Sequence, residues 1–356
     1  MAYDKGTIPT NNVRCSCVAS TIVLTGIKPT GMPHVGNWVG AIRPTVELSH
    51  RPDRQGFFFI ADYHALTGLR DGAQLRQYSD SLAAAWIALG LDPQRSVLYR
   101  QSDIPEVFEL AWVLACFSPK GLMNRAHAYK AQIQKNTEEG QEDVDHDVNM
   151  GLYTYPLLMA ADILLMGATY VPVGRDQQQH VEIARDLAQY FNREYNREIF
   201  TLPEALIDES TAVLPGIDGR KMSKSYNNHL PIFESRERIH KLVLRIATDS
   251  SRPGDPKDPQ ASTIFQIYSA LSNPDQVQTM AKAYQDGIAW KDAKEMLFQQ
   301  FENTFAAPNQ RYQEFMAHPE ALDRIFSQGR DQARQQAAPV MDRVRRAVGV
   351  GARNRS

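Results

Sequence analysis

Two short runs hold the residue types best suited to chemistry. Residues 25–38 read TGIKPTGMPHVGNW, directly after the apolar stretch Thr21-Ile22-Val23-Leu24, and residues 219–225 read GRKMSKS. The first run crowds three glycines, two prolines, Lys28 and His34 into so short a space. Glycine lets a bulky group approach the backbone and proline fixes a turn before it, which is the make-up of a loop shaped around a ligand. A strand, a glycine-rich turn and a helix in that order let the amides near Val35 to Trp38 face an anion. His34, at the mouth, would reach a phosphate oxygen; a turn capped by a histidine would read the same. Gly36 and Gly40 share a helix face against which a flat ring could lie. The spacing of a phosphate loop ending in Gly-Lys-Ser/Thr is absent. In the second run Lys221 and Lys224 stand three apart on a glycine-flanked loop, with Met222, Ser223 and Ser225 beside them. Two mobile ammonium groups suit a polyphosphate whose charge shifts during reaction.

A third constellation lies between them. Tyr155, Met159 and Asp162 fall on one face of a helix, and Asp162 interrupts the apolar run LLMAADILL. A buried carboxylate is costly unless something donates to it. An indole N–H, which is a donor only, would suit it; an internal partner such as a backbone amide or an arginine is the alternative.

The elements that position these residues can be read from periodicity. Strands are expected at 21–25, 57–60, 97–99 and 170–173, the second apolar on both faces like a central parallel strand. Helices are expected at roughly 36–49, 73–89, 104–117, 151–166 and 177–191, with Pro44 kinking or shortening the first. That alternation implies an α/β domain with a parallel sheet. The stretch from about Pro231 onward is helical throughout and reads as a second, α-helical domain. In an open parallel sheet the ligand lies beyond the carboxyl ends of the strands. Each strand runs into an unusual cluster there: GIKPTGMPHVGN, Asp62-Tyr63-His64, Gln101-Ser102-Asp103 and Gly174-Arg175-Asp176-Gln177.

Composition bounds the rest. The 356 residues are 43% hydrophobic and 22% charged with a net charge of −2, so no overall basic signature points to nucleic acid. No apolar run reaches the ~20 residues that span a bilayer. The first twenty residues lack a secretory signal and read as a loosely ordered leader, which makes the cytoplasm the expected location. Cys15, Cys17 and Cys116 make neither a disulfide framework nor a four-cysteine metal site. Residues 131–149 are polar and acidic; Asp143, Asp145 and Asp147 alternate without continuing into a calcium loop, so a solvated, mobile loop is expected. Arg343, Arg345, Arg346, Arg353 and Arg355 form either a solvated helix end or a contact to RNA phosphate.

On these residues the chain resembles a known family. PHVGN is similar to the HIGH motif, and KMSKS is the second signature motif, of class I aminoacyl-tRNA synthetases. ADYHALT, LYTYPLLMAADILL and VPVGRDQQQH resemble the tryptophanyl members, and the similarity runs from about Thr21 into the helical domain. The resemblance implies a Rossmann-like catalytic domain over 21–228, after the leader at 1–20, and an α-helical tRNA-binding domain over 229–356. It implies ATP as substrate, Mg²⁺ held by phosphate oxygens with no protein metal site, and L-tryptophan and tRNA(Trp) as partners. His34, Lys221, Lys224 and Lys130 would serve catalysis. Lys28, Thr30, Gly36, Asn37, Gly174, Asp176, Met222, Ser223 and Ser225 would join the lysines at ATP. Leu24, Gly26, His64, Tyr155, Met159, Asp162, Val171, Val173 and Gln177 would hold tryptophan. Leu24, Lys28, Arg175 and Tyr226-Asn227 differ from the commoner family pattern. A homodimer is also implied, with Phe108, Trp112 and Phe117 as either interface or core. Two rivals stand beside this reading. A tyrosyl relative would need more polar partners than Met159, Val171 and Val173 offer. A non-catalytic RNA-binding relative would have no need of His34, Lys221 and Lys224.

Overall fold

A computed structural model describes residues 21–207 and 214–351. The expected leader, Cys15 and Cys17, and the terminal Arg353 and Arg355 lie outside the described residues. The chain opens with β1 (Thr21–Ile27), then α1 (Val35–Asn37), a π-helical turn (Trp38–Ile42) and α2 (Arg43–Ser49). Next come β2 (Arg54–Ile60), α3 (Asp62–Ala65), α4 (Gly72–Ala88), β3 (Val97–Arg100), a 3₁₀ turn (Gln101–Asp103) and α5 (Glu106–Phe117). Helices α6 (Lys120–Met123), α7 (His127–Glu138) and α8 (Met150–Leu165) lead to β4 (Tyr170–Pro172), a 3₁₀ turn (Arg175–Gln177), α9 (Gln178–Glu194) and β5 (Glu204–Leu206). Five helices follow: α10 (Arg236–Leu244), α11 (Thr263–Leu271), α12 (Pro274–Gln285), α13 (Trp290–Ala317) and α14 (Pro319–Val348).

The sheet is parallel throughout, in the order β3-β2-β1-β4-β5. Alternate residues of a strand point to opposite faces, and the two faces feed two apolar clusters. Phe58, Ile60 and Leu98 join Val35, Trp86, Phe298, Phe305 and Phe326 in one; Phe57, Phe59, Val97 and Tyr99 join Leu110, Leu164 and Phe191 in the other. Both clusters take residues from either side of position 228, the expected domain boundary. Helix α14 is the reason. It enters the first cluster with Leu322 and Phe326 and leaves through the second with Ala333, Ala337, Met341 and Val344. Between them it crosses the edge strand β3, where a side chain at Gly329 would lie 1.8 Å from the Leu98 carbonyl oxygen. Only glycine permits that approach, and it covers an edge that would otherwise stay open.

Several local expectations need correction. β5 was missed because Pro203 and the exposed Glu204 make a three-residue edge strand read as loop. Residues 131–138 are not loop but the C-terminal part of α7, and only the stretch beyond them is irregular. Pro44 does not shorten its helix, which continues to Ser49; the turn before it widens, with the Arg43 amide donating to the Trp38 carbonyl five residues back. Of the C-terminal arginines, Arg345 forks onto Glu109 and Arg343 donates to the Ile199 carbonyl, so both clamp α14 to the sheet domain. Arg343 nonetheless remains exposed at this helix end.

Candidate active site

The chain moves from β1 outward to β2 and β3, then returns to the other side of β1 with β4. A crevice opens where the direction reverses, which is where an open α/β sheet binds ligands. A cavity of about 380 Å³ occupies that point. β1 contributes Leu24, Thr25 and Gly26, β2 and the turn after it contribute Phe59, Ala61 and His64, and β4 with the residue after it contributes Val171, Pro172 and Val173. Helix α8 closes it with Leu152, Tyr155, Met159, Asp162 and Ile163. All nine residues expected to hold an amino acid line this one space, and Lys28, expected at the nucleotide, lines it too. Gly26 has a packing reason of its own. A Cβ there would sit 2.2 Å from the Phe59 ring, so that glycine makes room for a phenyl ring.

Asp162 is only 2% exposed and does have internal partners, though neither an amide of the backbone nor an arginine. Its Oδ2 accepts from His64 Nε2 at 3.0 Å and from Gln101 Nε2 at 2.8 Å, and its Oδ1 accepts from Gln101 Nε2 at 3.0 Å. Gln101 is itself fixed by accepting from the His64 amide. A carboxylate offers about four acceptor positions, so one remains, at Oδ1. Burial pushes the Asp162 pKa up, and the His64 and Gln101 donors pull against that rise.

A second chain of hydrogen bonds runs along the rim. Tyr155 Oη donates to His180 Nε2 at 2.8 Å, His180 Nδ1 donates to Gln177 Oε1 at 3.0 Å, and Gln177 Nε2 donates to Asp176 Oδ2 at 3.0 Å. His180 is buried and its pKa is held down to about 4, chiefly by desolvation. Burial likewise raises Tyr155 to about 12, so both stay neutral near pH 7. The Lys28 ammonium lies 5.3 Å from the centre of the Tyr155 ring, and burial lowers its pKa.

The two signature runs meet beside this cavity. Lys224 Nζ donates to the Gly31 carbonyl at 2.9 Å and to that of Thr30 at 3.3 Å, docking the second run on the first. Gly31 sits at φ +102°, open to glycine. The helix-start amides expected to face an anion are already engaged. Val35 N donates to the Leu230 carbonyl, Gly36 N to Met222 Sδ, Asn37 N to His34 Nδ1 and Trp38 N to the His34 carbonyl. His34 is therefore a helix cap, answered by its own amide donating to Asn37 Oδ1 at 3.2 Å. With Nδ1 accepting, its hydrogen sits on Nε2, which leaves a donor for a ligand. Desolvation first, then His229 and Lys224, hold its pKa near 4. Ser223 N donates to Asn228 Oδ1 and Ser225 N to Ser223 Oγ, which shapes the loop; Lys221 is exposed. Gly174 and Asp176 flank the carboxyl end of β4. Lys130 is not in this assembly. It is exposed on α7 two residues beyond Ala128, which does line the cavity, and two residues turn a helix by about 200°.

The family described as tRNA synthetases class I (W and Y) matches residues 18–306. The chain belongs to that family. A tryptophan–tRNA ligase of Neisseria meningitidis is 50% identical over 328 residues, 92% of this chain and 97% of that protein. One from Pseudomonas aeruginosa is 50% identical over 333 residues, 93% of this chain and 74% of the relative. The crystal structure of tryptophanyl-tRNA synthetase from Campylobacter jejuni, complexed with ADP and tryptophan, matches with a TM-score of 0.84 at 41% identity, over 93% of this chain and 100% of that one. A tyrosyl-tRNA synthetase of Archaeoglobus fulgidus, at 17% identity and a TM-score of 0.61 over 82% of this chain and 90% of its own, shares the fold.

Two members of this class I synthetase site escaped the sequence reading. Gln101 was noted only as part of a cluster after β3, although a glutamine directly beyond a strand end was the available signal. His180 carried no signal beyond its place in VPVGRDQQQH. The depressed pKa values of His34 and His180 have a consequence for stability. An unfolded histidine takes its proton near pH 6.5, while these two resist until about pH 4, so the unfolded chain gains protons first. Stability from these groups is full above pH 6.5 and falls as pH drops to about 4. Urea unfolding at steps across that window should show wild type losing stability relative to His180→Gln; parallel curves would contradict the burial of a neutral His180.

Proposed function

We propose that the chain activates L-tryptophan with ATP and transfers the aminoacyl group to tRNA(Trp). The observation that carries this reading is the single remaining acceptor position of Asp162 in a cavity that Leu24, Met159, Val171 and Val173 make apolar on other sides. His64 and Gln101 direct their N–H groups at the carboxylate, which leaves its open position as an acceptor. An indole N–H needs an acceptor alone and fits. A phenol O–H would donate to the same position, but Met159, Val171 and Val173 around it offer no donor to the phenol oxygen, which favours the indole.

Adenylation needs no general base, because an amino-acid carboxylate is already ionised at pH 7. It needs alignment and neutralisation of charge at the α-phosphate. The ammonium of Lys224, parked on two carbonyls of the first run, exchanges them for phosphate oxygens, and His34 donates from Nε2. Met222 lies over Gly36, so the loop that carries the lysines also bounds the nucleotide's side of the site. Lys221 and Lys130, both exposed, would reach phosphate only by movement of their elements. Among the described residues no group of three or more His, Cys, Asp and Glu converges as a metal site. Mg²⁺ would accompany ATP, held mainly by phosphate oxygens and water. The helices beyond residue 229 supply the tRNA surface, and the cytoplasm is the working compartment. Among the described residues no helix is long and apolar enough to cross a membrane.

The chain acts as a homodimer through the face of α5. Trp112 is 74% exposed there, and Tyr63, 44% exposed, packs its ring against that of Phe108, tilted by 53° with centres 4.4 Å apart. An apolar patch of this kind marks an interface. Sedimentation should give a dimer for wild type and a monomer for Trp112→Glu; a wild-type monomer at micromolar concentration would remove the proposal.

Pyrophosphate exchange with each of the twenty amino acids tests the activity, tryptophan alone being expected to support it strongly. In Asp162→Ala, tryptophan affinity should fall about 10- to 150-fold, the worth of a hydrogen bond to a charged acceptor, and phenylalanine affinity far less. ATP binding and thermal melting report whether the variant is folded. A folded variant that keeps the wild-type preference for tryptophan over phenylalanine would make Asp162 a structural acid.

A further inference from the structure

The segment that follows the second signature run is stapled to the first. Asn228 is buried, and its amide nitrogen donates to Asp218 Oδ1 at 2.7 Å and to the Lys221 carbonyl at 3.1 Å, while its oxygen accepts from Ser223 N. Leu230 accepts from Val35 N, Pro231 bridges to His34, and Ile232 N donates to the Pro33 carbonyl. His229 stands between these staples, so its backbone is fixed on both sides. Its ring centre lies 5.6 Å from that of His34, tilted by 49°.

The chemistry of the pair is one-sided. Nδ1 of His229 is enclosed and has no hydrogen-bond partner. A proton on it would be buried without an acceptor, so the neutral ring carries its hydrogen on Nε2. His34, whose Nδ1 accepts from Asn37 N, carries its hydrogen on Nε2 for a separate reason. Two imidazole donors thus stand side by side. The charges acting on them are cationic: Lys224 on both and Arg238 on His229. Burial and these cations lower the pKa of His229, which keeps it a neutral donor. A pair of N–H donors beside a lysine, with cations as their charged neighbours, fits an anion of several oxygens.

We propose that His229 is a second imidazole of the polyphosphate site, donating its Nε2–H to a phosphate oxygen of the nucleotide beside His34. The proposal rests on the ATP-dependent reading above and adds a group that neither signature run contains. His229 approaches from the segment after the loop, so a seated loop and a complete set of donors arise together.

The test separates a phosphate contact from a packing role. Binding of ATP, inorganic pyrophosphate and adenosine to the full-length protein is measured by calorimetry for wild type, His229→Ala and His229→Gln. The expected result for His229→Ala is about a tenfold loss for ATP and pyrophosphate, with adenosine unchanged. His229→Gln, which restores an N–H donor, recovers part of the loss. In exchange assays the ATP KM rises while the tryptophan KM holds. Equal losses for ATP and adenosine, or no loss for ATP, would overturn the proposal. Because binding is read without tryptophan, failure of wild type to exchange pyrophosphate would count against the functional reading and leave the His229 result standing on its own.

Discussion

A carboxylate carried into an apolar interior on α8 is the constraint on which this structure depends. Burying such a charge unpaired would cost several kcal/mol, so donors must be brought to it. They come from the carboxyl ends of two different strands, His64 just after β2 and Gln101 just after β3. Strand register then becomes site geometry, because a slip of one residue would turn both donors away. Asp62 reinforces the same junction by accepting from Ser102 N at 3.1 Å and from the Ser102 hydroxyl. With β2, β3 and α8 tied at one point, Asp162 is held in place with an acceptor position to spare. A fully satisfied carboxylate would be scaffold alone, whereas an unsatisfied one would destabilise the empty protein.

The nucleotide side follows a different logic, in which loops instead of strand ends set the geometry. Lys224 rests on two carbonyls and His34 caps the helix that its own loop begins, so the groups awaiting a ligand are occupied meanwhile by the backbone. Those contacts are weaker than a charge-assisted bond to phosphate, and a polyphosphate can displace them. Asp162 and its two donors, by contrast, are interior groups that need no rearrangement to receive an indole.

The sequence made the frame legible because its signals are local. Four apolar runs with clusters at their ends located the strands, and the spacing of Tyr155, Met159 and Asp162 put them on one helix face. What escaped was set by tertiary contacts. Asp162's donors come from 98 and 61 residues away, beyond any periodicity. His180 looks like any polar residue on an amphipathic helix until Tyr155 is seen to donate to it. The glycines of the first run were legible as close approaches, but what approaches Gly26 is Phe59 from the neighbouring strand. The amides at the start of α1 were assigned to an anion because nothing in the sequence shows that Leu230 and Met222 return to claim two of them.

The central claim is that the spare position of Asp162 receives an indole N–H. The most direct measurement is the proton–nitrogen NMR spectrum of tryptophan labelled with ¹⁵N in the indole ring, bound to the saturated protein. A hydrogen bond to a buried carboxylate predicts an indole proton shifted well downfield of free tryptophan and slow to exchange with water. A bound indole resonance at the free position, exchanging at the rate of free tryptophan, would contradict the account.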